Sequence, residues 1–322
     1  MNEHEVLRTF TGGGVRTVFH TMPASRLDGV QEVRLRRDLP VILRRRDAEW
    51  FVACGGTLTK DAAAAYRASA RDIAATVELV SAHSLYAFEE ELRNGFITLP
   101  GGHRVGLTGH AVVDNGAIRT LRGINGLHFR ISHELPGCAD AVLPYLAAGA
   151  RRGALCAPVL AHHTMILSPP GCGKTTLLRD IIRQISNAGM TVGVVDERSE
   201  IAGCYLGKPQ NDIGLRTDVL DACPKAHGMH ILLRAMSPQV IAVDELGRRD
   251  ELSAVEDILN AGVKLLCTAH GHSVSEIARR PGMDSLLAAQ SITRFIVLDG
   301  KPAGHVAGIY DETDLRLDKG GI

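Results

Sequence analysis

The stretch MILSPPGCGKTTLLRD, residues 165–180, decides how the rest of the chain is read. It lies one letter from the phosphate-binding loop pattern of Gly, four residues, Gly-Lys, then Ser or Thr. Ser168 stands at the first glycine position, and Pro169, Pro170, Gly171, Cys172, Gly173, Lys174, Thr175 and Thr176 follow. An apolar run precedes the loop, and Leu177, Leu178, Ile181, Ile182 and Ile185 recur after it at helical spacing. A glycine loop between a strand and a helix aims several backbone N–H groups at one point, where the helix N-terminus adds partial positive charge. Ser168 to Thr176 are the expected phosphate-binding residues. Lys174 would reach the β- and γ-phosphates of ATP, and the Thr175 hydroxyl would bind Mg²⁺. Serine serves at the first position as a small residue at the strand exit, and Pro169 and Pro170 stiffen the climb from it. The bland alternative is a chance Gly-Lys-Thr in a turn, which the flanking strand and helix oppose. Cys172 is either a small filler or a thiol acidified by the surrounding amides.

Such a loop works only with partners at later strand ends. VIAVDELG, 240–247, delivers Asp244 and Glu245 to one. Asp244 suits Mg²⁺ and Glu245 suits polarising a water, against the alternative of an acidic N-cap. TVGVV, 191–195, ends in Asp196-Glu197, with Glu197 a second catalytic candidate. An acidic pair there marks the P-loop class with an additional strand. VKLLCT, 263–268, runs into Ala269 and His270, where a polar side chain can sense the γ-phosphate. Residues 198–228 read as one long loop of poor periodicity, and long loops in compact domains tend to be functional. Arg198, Arg216 and Arg234 are candidate phosphate contacts or ordinary surface arginines.

Strand–helix alternation through the second half, ending in FIVLDG (295–300), implies a mostly parallel sheet with helices on both faces. The expected fold is α/β: a RecA-like P-loop NTPase domain of the additional-strand, catalytic-glutamate class over 156–322. A smaller α+β N-terminal domain over 1–135 and a linker helix over 136–155 precede it. Within the first half, 30–47 reads as two strands broken at Leu39-Pro40, 61–95 as one or two alanine-rich helices, and 95–135 as β-hairpins.

Composition narrows the function. The 322 residues hold 36 basic and 36 acidic side chains, a balance unlike that of a dedicated polyanion binder. The seven cysteines show no CxxC pair and read as reduced thiols. The first residues are acidic and lack the apolar run of a secretory leader.

The run ILSPPGCGKTTLLRD…VGVVDERSEIAG…PQNDIGLRTDVLDACPKAHGM…LLRAMSPQVIAVDELGR…TAHG resembles the stage III sporulation AA family of endospore-forming bacteria. Upstream, LPGGHRVGLTGHAV…LRGINGLHFRISHELPGCAD fits the same family. That family is similar to the ATPases of type II and type IV secretion and of pilus retraction. Lys174 and Thr175 match their phosphate loop, Asp196-Glu197 their acidic box, and TAHGHS their histidine box. Asp244-Glu245 departs from the Gly-Glu often found in secretion ATPases and is closer to the general P-loop pattern. The resemblance implies an ATPase in the mother-cell cytoplasm, peripheral to the membrane. It would power assembly of, or transport through, the channel between mother cell and forespore. It also implies a hexameric ring, docking on membrane subunits of that channel, and an arginine approaching the phosphates. Arg122, Arg130, Arg216 and Arg234 are the candidates for that role. A nucleic-acid-binding ATPase using the arginines of 34–46 is the alternative, opposed by the neutral charge and few aromatics. An inactive nucleotide-binding scaffold is a third reading, opposed by the intact Lys174, Thr175, Asp244 and Glu245.

Overall fold

The computed structural model describes residues 1–45, 48–82, 89–114, 116–147, 160–300 and 304–318. They divide into two compact units, Met1–Ser132 and His133–Ile322.

Unit 1 begins with three helices, α1 (Glu3–Phe10), α2 (Gly13–Thr21) and α3 (Ala24–Leu27), a stretch to which the sequence reading assigned nothing. Strands β1 (Val30–Arg36), β2 (Ile42–Arg45), β3 (Ala48–Val52) and β4 (Leu58–Thr59) follow, then helices α4 (Ala70–Val80) and α5 (Glu89–Asn94). Strands β5 (Phe96–Leu99), β6 (His103–Asp114) and β7 (Ala117–Arg130) close the unit. They form one antiparallel sheet in the order β4-β3-β2-β1-β7-β6-β5. Period-two patterning sets the faces: β1 buries Val33 and Leu35 and turns Arg34 and Arg36 to solvent, with Val30 buried before a register irregularity. Leu7, Phe19, Ile73 and Val77 of the helices join Val33, Leu35, Leu43 and Phe129 of the sheet in one core. Where α2 begins against α4, a Cβ on Gly12 would lie 2.5 Å from the Ala75 backbone, so only glycine fits.

The alanine run departs from its helical expectation. Residues 61–68 are non-helical, bridging Ala65 to Ala53 and Arg67 to Pro40. Asp61 starts a local turn by accepting the Ala63 N–H (2.8 Å), and the Ser69/Asp72 capping box opens the helix only at Ala70. Residues 83–88 of that expected helix lie outside the described residues. The expected linker helix is also shortened. Residues 136–142, at the start of unit 2, are turns pinned to that unit's own first long helix, with Asp180 accepting the Ala139 N–H (2.8 Å). A single helical turn, α6 (Leu143–Leu146), follows, with Pro144 in its first turn. Residues 148–159 lie outside the described residues.

Unit 2 continues with β8 (Thr164–Ser168), α7 (Lys174–Asn187), β9 (Val192–Asp196), β10 (Thr217–Asp221), α8 (Lys225–Ala235) and β11 (Val240–Val243). Then come α9 (Arg249–Asn260), β12 (Lys264–His270), α10 (Val274–Ile277), α11 (Met283–Ala288), β13 (Arg294–Leu298) and β14 (Val306–Tyr310). The sheet order is β10-β9-β11-β12-β8-β13-β14, parallel throughout except for the antiparallel pair β13–β14. Two departures lie at its edges. Strand β10 and the start of α8 replace part of the expected 198–228 loop, and β14 follows the strand taken as last. The central strands are buried on both faces: Ile166 of β8 enters a core with α7, while Met165 and Leu167 enter the opposite core with α9. Because the strands run parallel, the C-terminal ends of β8, β12, β11 and β9 stand in one row, the usual ligand edge of an open α/β sheet. Among the described residues, no helix is long and apolar enough to cross a membrane.

Candidate nucleotide site

The loop after β8 has two positions that require glycine. Gly171 (φ +74°) and Gly173 (φ +94°) are left-handed, and Gly173 is the N-cap of α7. Ser168 is different: it is the last residue of β8, fully buried and in register with His270 of β12. Nothing in that extended position demands glycine. Its hydroxyl donates to the Pro169 carbonyl (2.7 Å). The Cys172 carbonyl accepts the Gly304 N–H (2.9 Å), which braces the loop against the turn before β14. All six described cysteines are free, and Cys156 lies outside the described residues.

Lys174 folds back over the loop. Its Nζ shares three hydrogens among the Ser168 and Pro169 carbonyls (3.1 and 3.2 Å), the Ser168 hydroxyl (3.3 Å) and Nδ1 of His270 (3.1 Å). An ammonium only donates, so His270 accepts at Nδ1 and carries its proton on Nε2. Nε2 then donates to Glu245 Oε1 (3.1 Å). Burial holds the Lys174 ammonium below the usual lysine range, opposed by the charges of Asp244 and Glu245.

Asp244 lies beside the first turn of α7. Its Oδ2 accepts the Thr175 hydroxyl (2.7 Å), and its Oδ1 accepts the Thr268 hydroxyl and the Glu245 N–H. These donors are neutral, and burial pushes the Asp244 carboxyl above the usual carboxylate range despite the two hydroxyls. Glu245 has φ +51°, a left-handed conformation that costs a non-glycine residue about 1 kcal/mol or more. Its second oxygen takes Arg198 Nη1 (2.8 Å). A shallow cleft adjoins this row, lined by Asp196, Glu197, Arg198, Lys225, Asp244 and Glu245 among others.

The two members of the second acidic pair have separate roles. Asp196 is spent on the backbone, accepting the N–H groups of Glu200 (2.8 Å), Ile201 (3.1 Å) and Ala202 (2.8 Å). Burial nevertheless pushes its carboxyl up to about 6. Buried Arg179 of α7 holds the same loop through the Ile201 and Glu200 carbonyls (2.7 and 2.8 Å). Asp196 and Glu197 both line the cleft, and Glu197 is the less buried of the two, 3.5 Å from the Lys225 ammonium.

The family model described as sporulation stage III, protein AA matches residues 1–317. The chain belongs to this family. This sporulation stage III AA chain is 40% identical over 290 residues to stage III sporulation protein AA of Bacillus subtilis (strain 168), covering 88% of this chain and 87% of that protein. Among solved structures it is similar to the ATPase DotB of Yersinia pseudotuberculosis, with TM-score 0.54 at 12% identity, over 90% of this chain and 75% of that one. DotB of Legionella pneumophila gives TM-score 0.50 at 15% identity, over 83% and 71%. At such identities the likeness concerns the fold. It is the expected one, an ATPase-type α/β P-loop unit that follows an α+β unit in the sequence.

In this stage III AA chain one sheet edge gathers Ser168–Thr176, Lys174, Asp244, Glu245, Glu197 and His270. Of the arginine candidates, Arg198 joins them through Glu245, whereas within unit 2 Arg216 and Arg234 do not. Arg216 precedes β10 and donates to the Ser186 carbonyl (3.4 Å) in the last turn of α7, twelve residues and roughly 18 Å from the loop end. Arg234 is exposed in the last turn of α8. Arg122 and Arg130 are exposed on β7 of unit 1. Two site residues escaped the sequence reading. Thr268 was findable, since it lies two residues before His270 on the same face of β12. Lys225 was not, because its partners meet it only in the fold.

Proposed function

We propose that the chain is a Mg²⁺-dependent ATPase that works as a ring, a hexamer, at the mother-cell cytoplasmic base of the channel to the forespore. There it powers assembly of, or transport through, that channel and docks on its membrane subunits. In this reading residues 156–322 are the motor, 136–155 the linker and 1–135 the N-terminal domain. The observation that carries the proposal is the meeting at one sheet edge of Lys174, the Thr175–Asp244 contact and the Glu245–His270 pair. Family membership supports the sporulation setting.

The roles follow from the geometry. The loop amides and Lys174 bind the phosphates, and Lys174 exchanges its carbonyl partners for them. Thr175 and Asp244 offer hard oxygen donors side by side and fit Mg²⁺, which neutralises phosphate charge when bound. Glu245, oriented by His270, polarises the attacking water, with Glu197 as a second carboxylate at the cleft. Strong nucleic-acid binding is not expected. Glu32 sits within the arginine face of β1 and β2, 3.2 Å from both Arg34 and His128, and the formal net charge is zero. The test is Lys174→Ala. Equilibrium ATP binding should fall at least a hundredfold in a protein that melts like the wild type; unchanged affinity would remove the loop from the account.

A further inference from the structure

Lys225 is badly placed for a lysine with no task. It is the first residue of α8, directly after Pro224, where the free N–H groups of a helix end carry partial positive charge. It is also buried, at 9% exposure. Its ammonium donates to the Glu245 carbonyl (2.7 Å) and to Glu251 Oε1 (3.1 Å), and lies 3.5 Å from Glu197 Oε2. Two of its three hydrogens are spent on these hydrogen bonds, and the contact with Glu197 is an ion pair. Glu251, at 2% exposure, uses its other oxygen to accept the N–H groups of Gly247 (2.9 Å) and Arg248 (3.0 Å). Lys225 and Glu251 together therefore grip the backbone from Glu245 to Arg248, the segment in which Glu245 is held left-handed.

We infer that Lys225 is the positioning residue of the carboxylate pair: it fixes the turn that aims Glu245 and draws Glu197 to the same cleft. The inference rests on the reading of Glu245 as the water-polarising group. In this inference Lys225 acts through the two glutamates.

The test uses the full chain and follows ATP affinity, kcat, KM and melting temperature. Lys225→Met alone strands the Glu251 charge in the interior and should destabilise the fold. The double variant Lys225→Met with Glu251→Gln removes both charges, and Lys225→Arg keeps the cation with a different reach. Both should melt near the wild type, hold ATP affinity and KM within about threefold, and lose at least tenfold (double variant) or severalfold (Lys225→Arg) in kcat. Wild-type kcat in either variant overturns the inference, as does an affinity that falls in step with kcat, the mark of a merely structural role. Wild-type protein without turnover would instead overturn the ATPase reading and this inference with it. Turnover in the wild type that Glu245→Gln abolishes leaves Lys225 to be judged by its own variants.

Discussion

Ser168 and the two loop glycines differ in what their backbones require. Ser168 closes a regular strand, whereas Gly171 and Gly173 sit at φ +74° and +94°. Ser168→Gly should therefore leave ATP affinity within about threefold and cost about 0.5–1 kcal/mol of stability through chain entropy. Gly173→Ala should weaken ATP binding at least tenfold, because a Cβ strains the N-cap from which the amides point. Calorimetric titration and thermal melts check both. At this scale Lys174, Thr175, Asp244, Glu245 and His270 were legible because each follows an apolar run that has to end as a buried strand. Lys225 and Glu251 were not, because a lysine and a glutamate twenty-six positions apart signal nothing until α8 and α9 pack side by side.

At the scale of elements, the loop between β9 and β10 is held in shape by Asp196 and Arg179, and Asp196 gives it a pH dependence. Its carboxyl is raised from an ordinary 3.8 to about 6 in the fold, so the folded state binds the proton more tightly than the unfolded chain. The associated stability is full below about pH 4 and is lost as pH rises through about 6, a change of about 3 kcal/mol. The difference in urea-unfolding free energy between wild type and Asp196→Asn should shrink by that order from pH 4 to pH 7; a flat difference contradicts the assignment. The strands read well from sequence, β8, β9, β11, β12 and β13, are buried on both faces. Strand β10 lies at the sheet edge, with Asp218 and Asp221 exposed among its five residues, so its apolar pattern is too weak to show. In unit 1, Ala62–Ala65 favour a helix by propensity, yet pairing of Ala65 with Ala53 overrides it.

For the whole molecule, the ring proposal requires that Arg216 or Arg234, both away from their own loop, reach a phosphate in another copy of the chain if either is the donor. The ring proposal makes this measurable. Light scattering should show ATP-dependent growth to a hexamer. One of Arg122→Ala, Arg130→Ala, Arg216→Ala or Arg234→Ala should bind ATP normally and turn over at least tenfold more slowly. Mixing that variant with Lys174→Ala subunits should restore activity, since each supplies what the other lacks; an inert mixture for all four contradicts donation across an interface. Unit 1 showed β1, β2 and the β5–β7 region in the sequence but not the short strands β3 and β4 or its three leading helices, which are short and gain stability from packing on the sheet.

The account stands most directly on Glu245. Glu245→Gln keeps the size of the side chain and removes the charge that would polarise water. Steady-state ATP turnover, measured beside equilibrium ATP binding on the same preparation, should fall at least a hundredfold while affinity stays within about threefold. Turnover at the wild-type rate would contradict the assignment of Glu245 and the site built around it.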